Sequence, residues 1–334
     1  MRAAVAPGKV ILTGEHAVVH GGAALAIAID RHIHALFVED NTQQLRWKDP
    51  LSGQQQSLTR EEMKHCVDLL SQRYLEWQEN KRPIQRVLEK PSDLLVYTLA
   101  NALGDHAFPG GDLKWRSNLP IGAGMGSSAA FIAVVLQLFS DSALDSKSLL
   151  HRVHFCERLQ HGKGSLIDAS SVTLGGLVRV QQGEVTPVNL CAHQAAINQQ
   201  SYWIFTGTPE ASTGECVDQV RRDFSSSSIW QAFAQVESQW LEASESERAE
   251  LMRENHRLLC QLGAVPTKVQ ELIAEIEKLG GAAKISGAGS IRGDAAGLII
   301  AWLPFGAPDQ LKLPNGAYWG ALKQENQGAK AFCI

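Results

Sequence analysis

Between Leu119 and Ala130 the chain reads Leu-Pro-Ile-Gly-Ala-Gly-Met-Gly-Ser-Ser-Ala-Ala, three glycines at alternate positions leading into an apolar run, Ala129 to Phe139. Alternate glycines let a backbone curl closely around an anion, and a helix beginning just beyond them aims its unpaired N–H groups and positive dipole end at the same point. The segment predicts a short strand around Leu113 and Trp115 that ends at Pro120, then a phosphate-binding loop, then a helix stopped at Asp141-Ser142. No Lys-Ser/Thr closes the loop, so it is not a Walker A loop, and the Gly-x-Gly-x-Gly spacing is not the dinucleotide fingerprint. A hydroxyl of Ser127 or Ser128 at the helix start can cap the helix or bind Mg²⁺.

A chain of 334 residues is long for one domain and favours two packed domains sharing a cleft. Val10-Ile11-Leu12 and the alternating stretch Ala24 to Val38 read as strands, followed by a hairpin or loop over Asp40 to Thr59. Helical spacing follows in Glu61 to Glu79 and Pro91 to Leu103. Val178 to Val180 and Glu184 to Leu190 form a hairpin around Gln182-Gly183, and Tyr202 to Phe205 a further strand. The polar, Ser-rich stretch Ser225 to Ser246 suggests a solvent-facing helix flanked by loops. Val269, Leu272, Ile273, Ile276 and Leu279 mark an amphipathic helix closed by Gly280-Gly281, and Gly297 to Leu303 a last apolar strand. Strands and helices without strict alternation indicate an α+β fold, divided near residue 195 into units 1–195 and 196–334.

Charge and composition exclude several classes. A net charge of -4 with no basic cluster does not suit nucleic acid. No run reaches the eighteen or so apolar residues that span a bilayer, and the opening Met1 to Pro7 is too short in its apolar part for a signal peptide. Cys66, Cys156, Cys191, Cys216, Cys260 and Cys333 are scattered without metal-ligand spacing, which fits free thiols in a reducing cytoplasm.

The other polar signals are ordinary when taken singly. Pro7-Gly8-Lys9-Val10-Ile11-Leu12-Thr13-Gly14-Glu15-His16-Ala17-Val18-Val19-His20-Gly21 places Lys9 before an apolar strand, and Glu15 and His16 beyond its end, where side chains can project into a cleft. Glu157 lies in a helical stretch, Leu149 to Leu159, and Asp168 follows eleven residues later. Lys284-Ile285-Ser286-Gly287-Ala288-Gly289 is a second glycine loop, between the amphipathic helix and the last strand.

Together these motifs resemble the galactokinase, homoserine kinase, mevalonate kinase and phosphomevalonate kinase superfamily, and the Gly-Glu-His-Ala-Val-Val-His-Gly continuation is most similar to mevalonate kinases. The resemblance implies an N-terminal domain like ribosomal protein S5 domain 2, a C-terminal ferredoxin-like domain, and ATP-dependent phosphorylation of the mevalonate 5-hydroxyl. It implies that Gly122, Ala123, Gly124, Met125, Gly126, Ser127 and Ser128 wrap the nucleotide phosphates, with Ser128 and Glu157 holding Mg²⁺. Lys9 and Asp168 become the catalytic pair, the aspartate serving either to abstract the hydroxyl proton or to orient the hydroxyl and stabilise charge. Glu15, His16 and Thr213 become acceptor contacts, Thr213 by way of Pro209-Glu210-Ala211-Ser212-Thr213. ATP and mevalonate are the expected partners, and a homodimer stays open.

Two departures stand out from the family pattern. Gly164-Ser165-Leu166-Ile167-Asp168 stands where mevalonate kinases read Pro-Ser-Gly-x-Asp, so Leu166 is a candidate for reshaping the acceptor pocket. The third motif continues as Ser290-Ile291-Arg292-Gly293-Asp294-Ala295-Ala296-Gly297, bulkier than usual, with Arg292 open to two readings: a phosphate contact, or part of an insertion that weakens nucleotide binding.

Overall fold

A computed structural model describes residues 1–49, 52–120, 122–140, 144–162, 164–189 and 196–333. The expected boundary near residue 195, the Asp141-Ser142 stop and Cys191 lie outside the described residues. The chain opens with two long strands, β1 (Arg2–Thr13) and β2 (Ala23–Glu39), paired antiparallel. Their register shifts at Pro7/Gly8 and again at Ile11/Thr13. Proline has no N–H to give the ladder, so a break at Pro7 is where the first irregularity is cheapest, and it places Lys9 just beyond it.

The expected hairpin follows as β3 (Leu45–Lys48) and β4 (Gln55–Leu58). The helix α1 (Arg60–Gln78) starts with a capping box, the Thr59 hydroxyl accepting from Glu62 N–H while the Glu62 carboxylate accepts from Thr59 N–H. Then come α2 (Asp93–Leu103), β5 (Gly111–Ser117), α3 (Ser127–Phe139), α4 (Ser146–His161), α5 (Ile167–Leu174), β6 (Leu177–Gln181) and β7 (Glu184–Val188). The side chains of α3 are buried almost all round, from Ala129 to Phe139, because the helix lies between β1–β2 on one side and α2 and α4 on the other. That placement explains its uniformly apolar sequence.

The second half supplies β8 (Ser201–Phe205), α6 (Thr213–Phe224), α7 (Ile229–Trp240), α8 (Glu245–Gln261), α9 (Thr267–Lys278), β9 (Ala282–Ile285), β10 (Leu298–Trp302) and β11 (Tyr318–Ala321), before β12 (Lys330–Cys333). Strands β8 to β11 form a separate antiparallel sheet in the order β11-β8-β10-β9. The first sheet runs β12-β1-β2-β5-β3-β4, with the β6–β7 hairpin on the N-terminal half of β2. Mixed helices and sheets in two layers agree with the α+β expectation.

Two expectations need correction. The Ser225 to Ser246 region is not merely solvent-facing: Phe233, Val236 and Trp240 of α7 are buried, because the helix packs on α8 and against β1 and β2. The last strand also leaves the expected C-terminal unit, since β12 pairs with Arg2–Val5 of β1 and completes the first sheet. No helix among the described residues is long and apolar enough to cross a membrane.

Gly14 turns the chain out of β1 with a φ of 89°, and a Cβ there would lie 2.1 Å from the Ala23 carbonyl oxygen and 2.6 Å from Ala24 Cα. Both obstacles are backbone of β2, which cannot swing aside. Gly14→Ala should therefore cost about 3 kcal/mol or more, read as a lower urea midpoint at unchanged m-value. Gly183→Ala in the β6–β7 turn, where φ is 82° and nothing lies within 4 Å, should cost only about 1 kcal/mol.

Candidate active site

Four elements bring one polar cluster together. Lys9 projects from β1, Ser128 from the start of α3, Glu157 from the fourth turn of α4, and Asp168 from the first turn of α5. Helix α3 packs on β1, α4 and α5, so these starting points converge. Lys9 is nearly buried, and its Nζ lies 3.1 Å from Asp168 Oδ1, the aspartate side chain being 29% exposed. A carboxylate that touches a buried ammonium and still reaches solvent is placed to meet an incoming hydroxyl. Its position in the first turn of α5 adds the favourable end of a helix dipole.

The phosphate loop is built as its glycines predict. Gly122, Gly124 and Gly126 all have positive φ, between 70° and 76°. Ala123 and Met125 are buried beneath the loop while Gly122 and Gly124 stay exposed, so the apolar residues anchor the turn and the glycines present bare backbone. The Lys9 N–H donates to the Met125 carbonyl at 2.9 Å, tying β1 to the loop. A side chain at Gly126 would meet Lys9 Cγ at 2.9 Å, which is why the position before α3 tolerates only glycine. No side chain caps α3, so its first N–H groups are left to a ligand.

Ser128 Oγ lies 3.4 Å from Glu157 Oε1 and donates to it. Glu157 is only 5% exposed, and burial first, then the neighbouring Asp168 carboxylate, push its carboxyl well above the usual range, against the opposing pull of Lys9 and the Ser128 hydroxyl. Two carboxylates that feel each other's charge and share one lysine, Lys9, are short of positive charge. A hydroxyl and carboxylates are hard oxygen donors, so the cluster fits a divalent cation of the magnesium type, with Ser128 and Glu157 as the residues to hold it.

The turn after β1 meets the second glycine loop. Glu15 and His16, expected to line the acceptor pocket, are 8% and 1% exposed. The Glu15 carboxylate is engaged by Lys284 of β9, a fully buried lysine whose Nζ also donates to the carbonyls of Ile285 at 2.8 Å and Ile11 at 3.3 Å. Burial pushes the Glu15 carboxyl up and the Lys284 ammonium down, and each partner opposes that shift in the other. His16 Nε2 lies 3.1 Å from the Ala288 carbonyl, and burial holds its pKa at about 4. A neutral ring must donate from Nε2 to that carbonyl, which leaves Nδ1 as an acceptor. His16 Nδ1, Glu15 Oε2 and Thr13 Oγ1 are all buried without a hydrogen-bond partner. Three unpartnered polar atoms in one turn mark a place where a polar ligand can bind, since packed core rarely leaves such groups unsatisfied.

Other expected residues stand apart. Thr213 is exposed at the start of α6, where the neighbouring Ser212 caps the helix, and no contact joins Thr213 to the Lys9 cluster. Arg292 does not reach towards the phosphate loop: its guanidinium binds Glu215 Oε1 at 2.8 Å and the Glu210 carbonyl at 3.2 Å, so the bulky continuation of the third motif is pinned to α6. Leu166 packs half-buried against the apolar clusters on both sides of α5. The third motif still closes on the phosphate loop, for a Cβ at Gly124 would lie 3.5 Å from the Ser286 carbonyl oxygen. Sequence reasoning missed Lys284 as the partner of Glu15. The available signal was a lysine inside an otherwise apolar strand, Ala-Ala-Lys-Ile, which needs a buried countercharge.

Known proteins resemble this chain in sequence and in fold. Residues 94–176 match the GHMP kinases N-terminal domain and residues 241–291 the GHMP kinases C-terminal domain. The chain is 25% identical to mevalonate kinase of Arabidopsis thaliana, over 90% of each protein, and 28% identical to that of Archaeoglobus fulgidus, over 86% of this chain and 88% of the relative. Its fold superimposes on Methanococcus jannaschii mevalonate kinase with a TM-score of 0.76 at 18% identity, covering 96% of this chain and 98% of the other. For the L. major mevalonate kinase in complex with R-mevalonate the TM-score is 0.65 at 19% identity, with 97% and 96% covered. Two GHMP kinase domain models thus match this chain in order, and the first of them spans Ser128, Glu157 and Asp168.

Proposed function

We propose that this kinase transfers the γ-phosphoryl group of ATP to the 5-hydroxyl of mevalonate. The observation that carries the reading is the Lys9–Asp168 pair, 3.1 Å apart, set beside Glu157, Ser128 and the phosphate loop. Mevalonate as acceptor is supported by the relatives, which are named mevalonate kinases over most of their length and of this one. The turn after β1 suits such an acceptor: Glu15 Oε2 and His16 Nδ1 are buried acceptors without partners, and a hydroxy acid brings hydroxyl donors.

Phosphoryl transfer demands positioning and charge stabilisation more than covalent chemistry. The exposed backbone of Gly122 to Gly126 and the uncapped N-terminus of α3 hold the nucleotide phosphates. Ser128 and Glu157 would hold Mg²⁺, which would supply charge neutralisation for the polyphosphate. Asp168 accepts the hydrogen bond of the attacking hydroxyl and takes its proton as the oxygen bonds to phosphorus. The Lys9 ammonium, fixed by that aspartate and by its own backbone bond to Met125, faces the charge that develops on the transferring group. The β-phosphate leaves with ADP.

Purified protein with MgATP should release ADP with mevalonate and not with phosphomevalonate, galactose or homoserine; turnover of another of these would move the specificity while leaving the kinase chemistry in place. Asp168→Asn should lower kcat by about 10²- to 10⁴-fold with nucleotide affinity kept, and near-parental turnover would remove Asp168 from the mechanism. Glu157→Gln should raise the Mg²⁺ concentration for half-maximal rate at least about tenfold, measured by metal titration of the ADP-release rate.

A further inference from the structure

We infer that Lys284 is a positioning residue for phosphoryl transfer, holding Glu15 and the Lys9 strand in register with the second glycine loop. The inference rests on the kinase reading above. The observation behind it is that Lys284 spends every one of its three donors on fixed targets: the Glu15 carboxylate and the carbonyls of Ile11 and Ile285. Ile11 is two residues from Lys9 on β1, and its own N–H donates to Ser286 Oγ at 2.8 Å. One residue of β1 is thus gripped on both backbone groups by the β9 end, by Lys284 and by Ser286. The His16 contact to the Ala288 carbonyl repeats the tie one turn further on.

The chemistry of the pair argues for a role beyond stability. Lys284 is 0% exposed and Glu15 8% exposed. A buried ion pair returns little net stability against apolar residues of the same size, but it fixes geometry, because either charge alone would be stranded. Here the geometry fixed is that of Glu15: one carboxylate oxygen is taken by Lys284, which directs the unpartnered Oε2. Lys284 touches neither the phosphate loop nor the Lys9–Asp168 pair, so it acts through Glu15 and through Ile11.

The test compares Lys284→Met, Glu15→Gln and the double variant with the parent, using whichever acceptor the parent phosphorylates. Misplacing a reacting group by about 1 Å can cost about 10²-fold, so Lys284→Met should lower kcat/KM for the acceptor roughly 10²-fold, while the ATP dissociation constant, read by fluorescence titration, changes less than about threefold. The double variant, which strands no charge, should melt close to the parent and be no slower than the worse single variant. Parental kcat/KM in Lys284→Met, losses that multiply in the double variant, or an equal loss of ATP affinity would each overturn the inference. Should Lys284→Met not fold, the double variant against Glu15→Gln decides: equal kcat/KM supports a role through Glu15, and a further large drop refutes it. An inactive parent would instead refute the kinase reading.

Discussion

The site depends on a backbone hydrogen bond, the Lys9 N–H to the Met125 carbonyl. It forms where β1 has slipped its register against β2, so that a donor of the strand is turned to the phosphate loop. From that bond the Lys9 side chain runs past Gly126, where only a glycine leaves room, and reaches Asp168. The position of the loop, the direction of the lysine and the start of α3 are therefore one constraint. Moving any of them displaces the others, because protein interiors are packed too closely to absorb the change locally.

Charge is arranged around the same point with little excess. Lys9 faces Asp168, and Glu157 sits behind them, buried, with a hydroxyl as its one named hydrogen-bond donor. Such a cluster is poorly balanced by its own residues and well balanced by a divalent cation and a polyphosphate. Elsewhere in the interior the opposite holds: the Glu15–Lys284 pair is matched within the protein and crosses from the first sheet to the second. The first cluster needs ligands to balance its charge, whereas the second is balanced within the protein and leaves only hydrogen-bonding capacity, such as Glu15 Oε2, unspent.

Much of this was legible in the sequence, for reasons that differ by residue. The phosphate loop could be read because alternate glycines before an apolar helix have few other uses, and β1, β2 and α9 because their apolar periodicity is long. Glu157 and Asp168 drew attention through resemblance, since spacing alone cannot say that α4 and α5 bring them together. Lys284 escaped because pairing with Glu15 depends on how two sheets meet, a contact that joins distant parts of the chain. The burial of α7 escaped for a related reason: Phe233 and Trp240 stand among Gln and Glu, and only the packing of the helix on α8, β1 and β2 decides which face is inside. Arg292 was open to two readings, and its pairing with Glu215 is set by α6, whose start the Ser212 cap determines.

The return of β12 to pair with Arg2–Val5 bears on how such a chain is made. The strand that carries Lys9 has an open edge along its first residues unless β12 is docked there, since Arg2 lies opposite Cys333. The pairing joins residues from opposite ends of the described chain, a contact with a high loop-closure cost that no local contact offsets. Without β12, that unpaired edge would offer its free N–H and C=O groups to any other strand, so the far end of the chain is what protects the start of the first sheet.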